Sequence, residues 1–221
     1  MAQQTTPAPV MPARTISDSL VHSYLFMRRG IGVIGVGLPF ALAIGYAASS
    51  HQAVLRSSIS SYYYTDMRNV FVGSLCAIGV FLICYRFNLV DDVLSTIAGV
   101  LAIAVALCPT APADPTHNAL VASRFHYSFA AGLFLLLAVF CFVLFPRKDP
   151  DFAPSRRKPL RNRIYVSCGI VIVVSLLFAG RTQTLWADTF RDTNVLFWCE
   201  SVAIFAFGAS WLVKGQTLLK G

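Results

Sequence analysis

The stretch from Arg56 to Asn69 is crowded with polar side chains. Fourteen residues hold four serines, three tyrosines, a threonine, an aspartate, an asparagine and two arginines. Hydroxyls beside a carboxylate and flanking guanidinium groups can take a polar or anionic ligand through charge-assisted hydrogen bonds. Ser58, Ser60, Tyr63, Tyr64, Arg68 and Asn69, with Arg124 from further along the chain, form the candidate binding set. The competing reading is a loop that folds back over the rest of the chain and satisfies its own polar groups.

Three titratable residues carry the candidate catalytic chemistry: Asp66, His126 and Glu200. His126 and Glu200 could exchange protons near neutral pH as an acid/base pair. A metal reading takes His117, His126 and Asp66, with Glu200 as a further donor, as ligands of a type that suits zinc. Their spacing matches neither HxxxH nor HExxH. A third reading is structural, with Glu200 paired to Arg124, Arg68 or His126 to hold helices together. The chain has no GxSxG motif, and Ser128 and Ser201 have no neighbouring base in sequence. It also has no phosphate-cradling glycine loop and no dinucleotide fingerprint.

These residues sit between or within long apolar runs at 31–48, 70–86, 93–108, 125–145, 164–180 and 194–213. Crossing a hydrocarbon core takes roughly 20 residues of helix. The chain is 56% hydrophobic and 13% charged, with mean hydropathy +0.64. A soluble domain carries about a quarter charged residues. In lipid the backbone must bond to itself, and runs this long without dyad alternation favour helices over barrel strands. The expected fold is therefore all-α, a polytopic membrane bundle of six transmembrane helices within one domain at 16–221. The tail at 1–15, rich in Gln, Thr and Pro, reads as disordered. Residues 16–26 read as a short interfacial helix.

Six crossings put both termini on one side. That side collects thirteen Lys and Arg residues, seven of them in the Pro-broken basic loop at 146–163, against five on the other. Positive-inside then predicts both termini in the cytoplasm, in a bacterial-type inner (plasma) membrane. The formal net charge of +8 is absorbed by this topology signal and by attraction of the loop to anionic lipid. It calls for no nucleic acid. Besides the bilayer, the partners expected are that anionic lipid and, in a homo-oligomer, further copies of the chain.

The six cysteines fall within or at the ends of the runs and form no CxxC pair. They read as small apolar residues, not as a disulfide framework. Asp91 and Asp92 are placed to cap the third helix, and Thr193 and Asn194 the sixth. Gly73 and Ala77 form a small-xxx-small pair suited to close helix contact.

The six-helix layout, the loop from Ser58-Ile59-Ser60 to Met67-Arg68-Asn69-Val70-Phe71-Val72-Gly73, and a His126 that opens helix four together carry a resemblance. They resemble the broad group of small membrane proteins that includes DUF998 and the Frag1/DRAM/Sfk1 family. That group shows an Ile-Ser-Asp-like element in the first outer loop, where this chain has Ser60-Ser61, with Asp66 later. The resemblance implies a loose connection to lipid organisation. A weaker likeness is to seven-helix ceramidase-like hydrolases, whose paired histidines on the last helix this chain lacks.

The leading functional expectation is a pocket opening outward that binds a lipid headgroup or small polar ligand. The alternatives are a membrane-embedded hydrolase or lipid-modifying enzyme, with or without a metal, and a structural or regulatory membrane subunit.

Overall fold

The computed structural model describes residues 13–51, 54–112, 114–147, 156–190 and 193–219, with side chains from residue 21 onward. Most of the tail, residues 148–155 of the basic loop, Arg191, Asp192 and Lys220 lie outside the described residues.

The described residues form helices and no strand. The helices are α1 (Ala13–Ser50), α2 (Arg68–Cys84), α3 (Leu89–Leu107), α4 (His117–Val139), α5 (Lys158–Gln183), α6 (Ala187–Phe190) and α7 (Val195–Lys214). A 3₁₀ turn at Ser60–Tyr64 stands between α1 and α2, and a π turn at Phe140–Leu144 extends α4. Each apolar run becomes a helix. Five of the helices are long and apolar enough to cross a membrane, and α2, at 17 residues, is apolar but shorter. The mean hydropathy of the five spans is 1.6–2.4, yet only 22–50% of each apolar window is buried inside the protein. The remainder faces outward, as Phe26, Ile44, Leu107 and Leu177 do at 62–67% exposure. Unburied apolar surface on this scale suggests a multi-pass membrane protein.

Helix boundaries and caps differ from the sequence expectation in several places. Residues 16–26 form no separate interfacial helix. They run directly into α1, because nothing before Ile31 breaks the backbone pattern. α4 begins earlier than expected, where Thr116 caps it by accepting from Ala119 N. His117 is thus the first helical residue, not a loop residue. His126 lies about two and a half turns inside the helix instead of opening it. At α7, Asn194 occupies the cap position without a side-chain cap bond, and Thr193 Oγ1 donates to Phe190 O instead. α3 is capped by Asn88, whose side chain accepts from Asp91 N, while Asp92 Oδ1 accepts from Phe87 N (2.7 Å).

The six long helices pack as a ring in chain order, and α7 closes it against α1. Two contacts of the ring are set by glycine. A methyl group on Gly99 would lie 2.5 Å from Gly79 O, so α2 and α3 meet backbone to backbone. A methyl on Gly208 would lie 2.8 Å from Val36 N and 2.9 Å from Gly32 O, which fixes α7 against α1. Gly73, expected at a close contact, has nothing within 4 Å of its missing Cβ. Close packing through small residues is the main source of helix association where lipid is as apolar as the helix.

The end of the ring away from the 3₁₀ turn is tied by aromatic and basic residues. Trp211 is fully buried among Tyr85, Phe140, Phe145 and Phe207. The buried Arg28 donates to Tyr85 Oη (3.1 Å) and lies over the Tyr24 ring. Arg147 pairs with the buried Asp91 at 3.6 Å. Arg29 Nε donates to Gly215 O (3.1 Å), where α7 ends in a Schellman motif with Gln216 in the left-handed region at φ 54°. The start of the bundle and its last helix thus finish at the same end.

Gly99→Leu should destabilise the bundle by about 1–3 kcal/mol or more through overpacking. Gly73→Leu should leave it within about 0.5 kcal/mol. Thermal unfolding of both variants in one detergent checks the contrast; equal losses would contradict the assigned contact.

Candidate functional site

The connection between α1 and α2 does not lie over the bundle as a solvated loop. Its backbone enters the mouth of the ring and forms a roof. Ile59 and Tyr62 are 2% and 0% exposed, and Ser58 and Ser60 are also buried. Tyr62 is the anchor, with its ring edge-on to Tyr46 and tilted against Phe197. Leu38, Leu42 and Phe71 complete the apolar cluster beneath it. The turn is closed locally by serine hydroxyls. Ser61 N donates to Ser58 Oγ (3.0 Å), and Ser61 Oγ donates to Ser58 O (2.7 Å). Such side-chain turns are why serine runs favour tight reversals.

Three neighbouring elements hold this roof. Phe197 N, in the unpaired first turn of α7, donates to Ser57 O (3.0 Å). One turn deeper, the half-buried Glu200 carboxylate accepts from Ile59 N at 2.5 Å and also from Ser60 N. From α4, His126, 2% exposed, places Nε2 3.0 Å from Ser60 Oγ and Nδ1 2.6 Å from Cys108 O. From the connection after α3, Thr110 O accepts from Tyr64 Oη (2.5 Å). Burial pushes the Tyr62 and Tyr64 hydroxyls above the ordinary tyrosine range. Both therefore stay neutral at physiological pH.

The geometry fixes the His126 tautomer. A carbonyl oxygen can only accept, so Nδ1 carries the proton toward Cys108 O. Nε2 is then the free acceptor, and Ser60 Oγ–H donates to it. Both ring nitrogens are thereby engaged.

Below the roof lies a cavity of about 70 Å³ at the centre of the ring. Its wall is almost wholly apolar, built from residues such as Phe71, Leu75, Ile78, Ala130, Phe134 and Ile204. Ser60 and Glu200 supply its polar end. The cavity lies between α1, α2, α3, α4 and α7 under the roof turn.

The sequence-derived residues therefore divide. Ser58, Ser60, His126 and Glu200 come together at the roof. Tyr63 is half-buried and binds Arg68, whose Nη2 donates to Tyr63 Oη (2.6 Å) with the guanidinium 4.2 Å over the ring. Tyr64 keeps an exposed ring while its hydroxyl reaches Thr110. Asp66, Arg68, Asn69, His117 and Arg124 are all exposed. Asp66 and His117 do not join His126. Among the described residues, no three His, Cys, Asp or Glu side chains gather in a way that could hold a metal ion. Sequence reasoning missed the carbonyls of Cys108 and Thr110, the Phe197 amide and the whole cavity wall. None of these carries a local signal, because they act through backbone groups or unremarkable apolar side chains.

No family model, curated protein or solved structure matches the chain. The functional reading therefore rests on the geometry.

Glu200→Leu keeps most of the side chain's bulk but leaves the Ile59 and Ser60 amides without their acceptor. It should cost about 1–3 kcal/mol. Asp66→Asn, at an exposed position, should change stability by less than about 0.5 kcal/mol. Thermal unfolding in detergent distinguishes them; an unaffected Glu200→Leu would show that the carboxylate does not hold the roof.

Proposed function

We propose that this is a six-span protein of a bacterial-type plasma membrane that binds a membrane lipid in its central cavity. The lipid's apolar part fills the cavity and its polar end lies at Ser60 and Glu200. The single observation that carries this reading is the one-sided polarity of the cavity: an apolar wall with a hydroxyl and a carboxylate at one end. An amphipathic ligand matches that pattern, and a free polar solute does not.

Six crossings are supported by the place of α2 in the ring. It packs between α1 and α3, and its 17 residues rise about 26 Å, most of a hydrocarbon core. Both termini in the cytoplasm follow from the excess of Lys and Arg at the end of the bundle away from the roof. The roof and cavity mouth then face the outer leaflet, and the basic loop meets anionic lipid on the inner side. As the roof stands, the cavity is about half the size of one that admits benzene in an engineered lysozyme, a volume of about 150 Å³. It takes the end of an acyl chain. Ser60 and Glu200 favour a ligand whose polar end exchanges hydrogen bonds with a hydroxyl and donates to a carboxylate.

A second reading, a structural subunit without ligand, is favoured by the roof's internal satisfaction of its own amides. Thermal stability in detergent with single lipid classes added back separates the two. Lipid binding predicts a rise for one class, with about 2.7 kcal/mol at a hundredfold excess over Kd. Ala130→Leu, which fills the cavity, should abolish that rise while leaving the protein folded. No lipid-dependent rise for any class would leave the structural reading. A reporter fused after Gly221 should read cytoplasmic; an external reading would invert the proposed topology.

A further inference from the structure

We propose that Ser60 is a nucleophile, with His126 as its general base, acting on the carboxylic ester of a membrane lipid whose apolar part enters the cavity. This proposal rests on the lipid-binding reading above and adds a reaction to it.

Three observations carry it. Ser60 Oγ and His126 Nε2 are 3.0 Å apart, the separation expected of a nucleophile and its base. His126 is oriented from behind by the 2.6 Å bond from Nδ1 to Cys108 O. That bond leaves Nε2 unprotonated and directed at the hydroxyl, the role a third group plays in any nucleophile–base–orienter arrangement. Ser60 also lines the cavity, at its polar end beside Glu200. A short acyl segment seated in that cavity brings the carbonyl at its head to the hydroxyl.

Ser60 Oγ bonds to the ester carbonyl carbon as its proton passes to His126 Nε2. The tetrahedral adduct breaks the carbon–oxygen bond to the alcohol, which leaves with the proton from Nε2. A water molecule, deprotonated by the same nitrogen, then attacks the acyl-serine carbonyl. The bond between the acyl carbon and Ser60 Oγ then breaks, Oγ takes the proton back from Nε2, and the free carboxylic acid departs. Glu200 touches none of the reacting atoms. Its bonds to the Ile59 and Ser60 amides make it a positioning residue, holding the turn that presents Ser60.

The test is labelling of the full chain in mild detergent with an alkyl fluorophosphonate, followed by mass spectrometry of the modified peptide. Phosphonylation of Ser60 is expected in the parent, lost in Ser60→Ala and reduced at least tenfold in His126→Gln. Hydrolysis of a short-chain p-nitrophenyl ester should fall in parallel. Absence of label on Ser60 in folded parent protein overturns the proposal without recourse to any variant. So does labelling that survives His126→Gln at the parent rate. Failure of the underlying reading is distinguishable. Lipid-dependent stabilisation without label sinks the nucleophile alone. Label on Ser60 without stabilisation by any lipid sinks the cavity reading and leaves the nucleophile.

Discussion

Everything at the roofed end of this bundle depends on one constraint: non-helical backbone inside a membrane bundle must find its hydrogen bonds within the protein. The chain between α1 and α2 breaks helix and turns inward, which exposes amides with no helical partner. Glu200 meets that need at Ile59 and Ser60, and Phe197 and Ser57 pair their own backbone groups. An ionisable side chain withdrawn from water is costly by itself. Here its acceptor capacity is matched to donors that would otherwise be unsatisfied, so two unfavourable features cancel.

The cavity is a consequence of how the ring closes. Glycine lets α2 approach α3 and α7 approach α1 at backbone distance, which draws four of the six long helices tight. At the far end the space is filled by Trp211, Tyr85, Phe140 and Phe145, with Arg28 laid across Tyr24 and Tyr85. Toward the roof, residues such as Ala102, Ala130, Leu75 and Ile204 alternate with Phe71 and Phe134, and a space persists between that aromatic plug and the Tyr62 anchor. One end of the ring is filled by aromatic side chains, and the other is closed by a turn that other residues must hold.

The helical part of this architecture was legible because composition is local. A run such as 125–145 announces itself without knowledge of any neighbour. Its start was misjudged for the same reason. The first turns of α4 carry His117, Asn118 and Ser123, polar residues that read as the end of a loop until the helix is seen to begin at His117 and bury Ser123. Gly73 and Gly99 look alike in sequence, and only the rotation of each helix decides which one meets backbone. His126, Glu200 and the serine-rich loop were readable as polar residues in unusual places. Their partners were not, since His126 reaches Ser60 across 66 positions and Glu200 reaches Ile59 across 141. Asp66 drew notice through its charge, but position and not charge decides membership of the site, and Asp66 stays on the exposed rim.

The central claim is that the Ser58–Tyr62 backbone is a fixed part of the bundle, held by Glu200 and His126 over an apolar cavity. Amide hydrogen exchange of the unliganded protein in detergent measures this directly. The account predicts that Ile59, Ser60, Ser61 and Tyr62 exchange as slowly as the buried core of α7 around Phe207 and Trp211. Exchange of these four amides at the rate of the exposed Asp66 and Asn69 would contradict it.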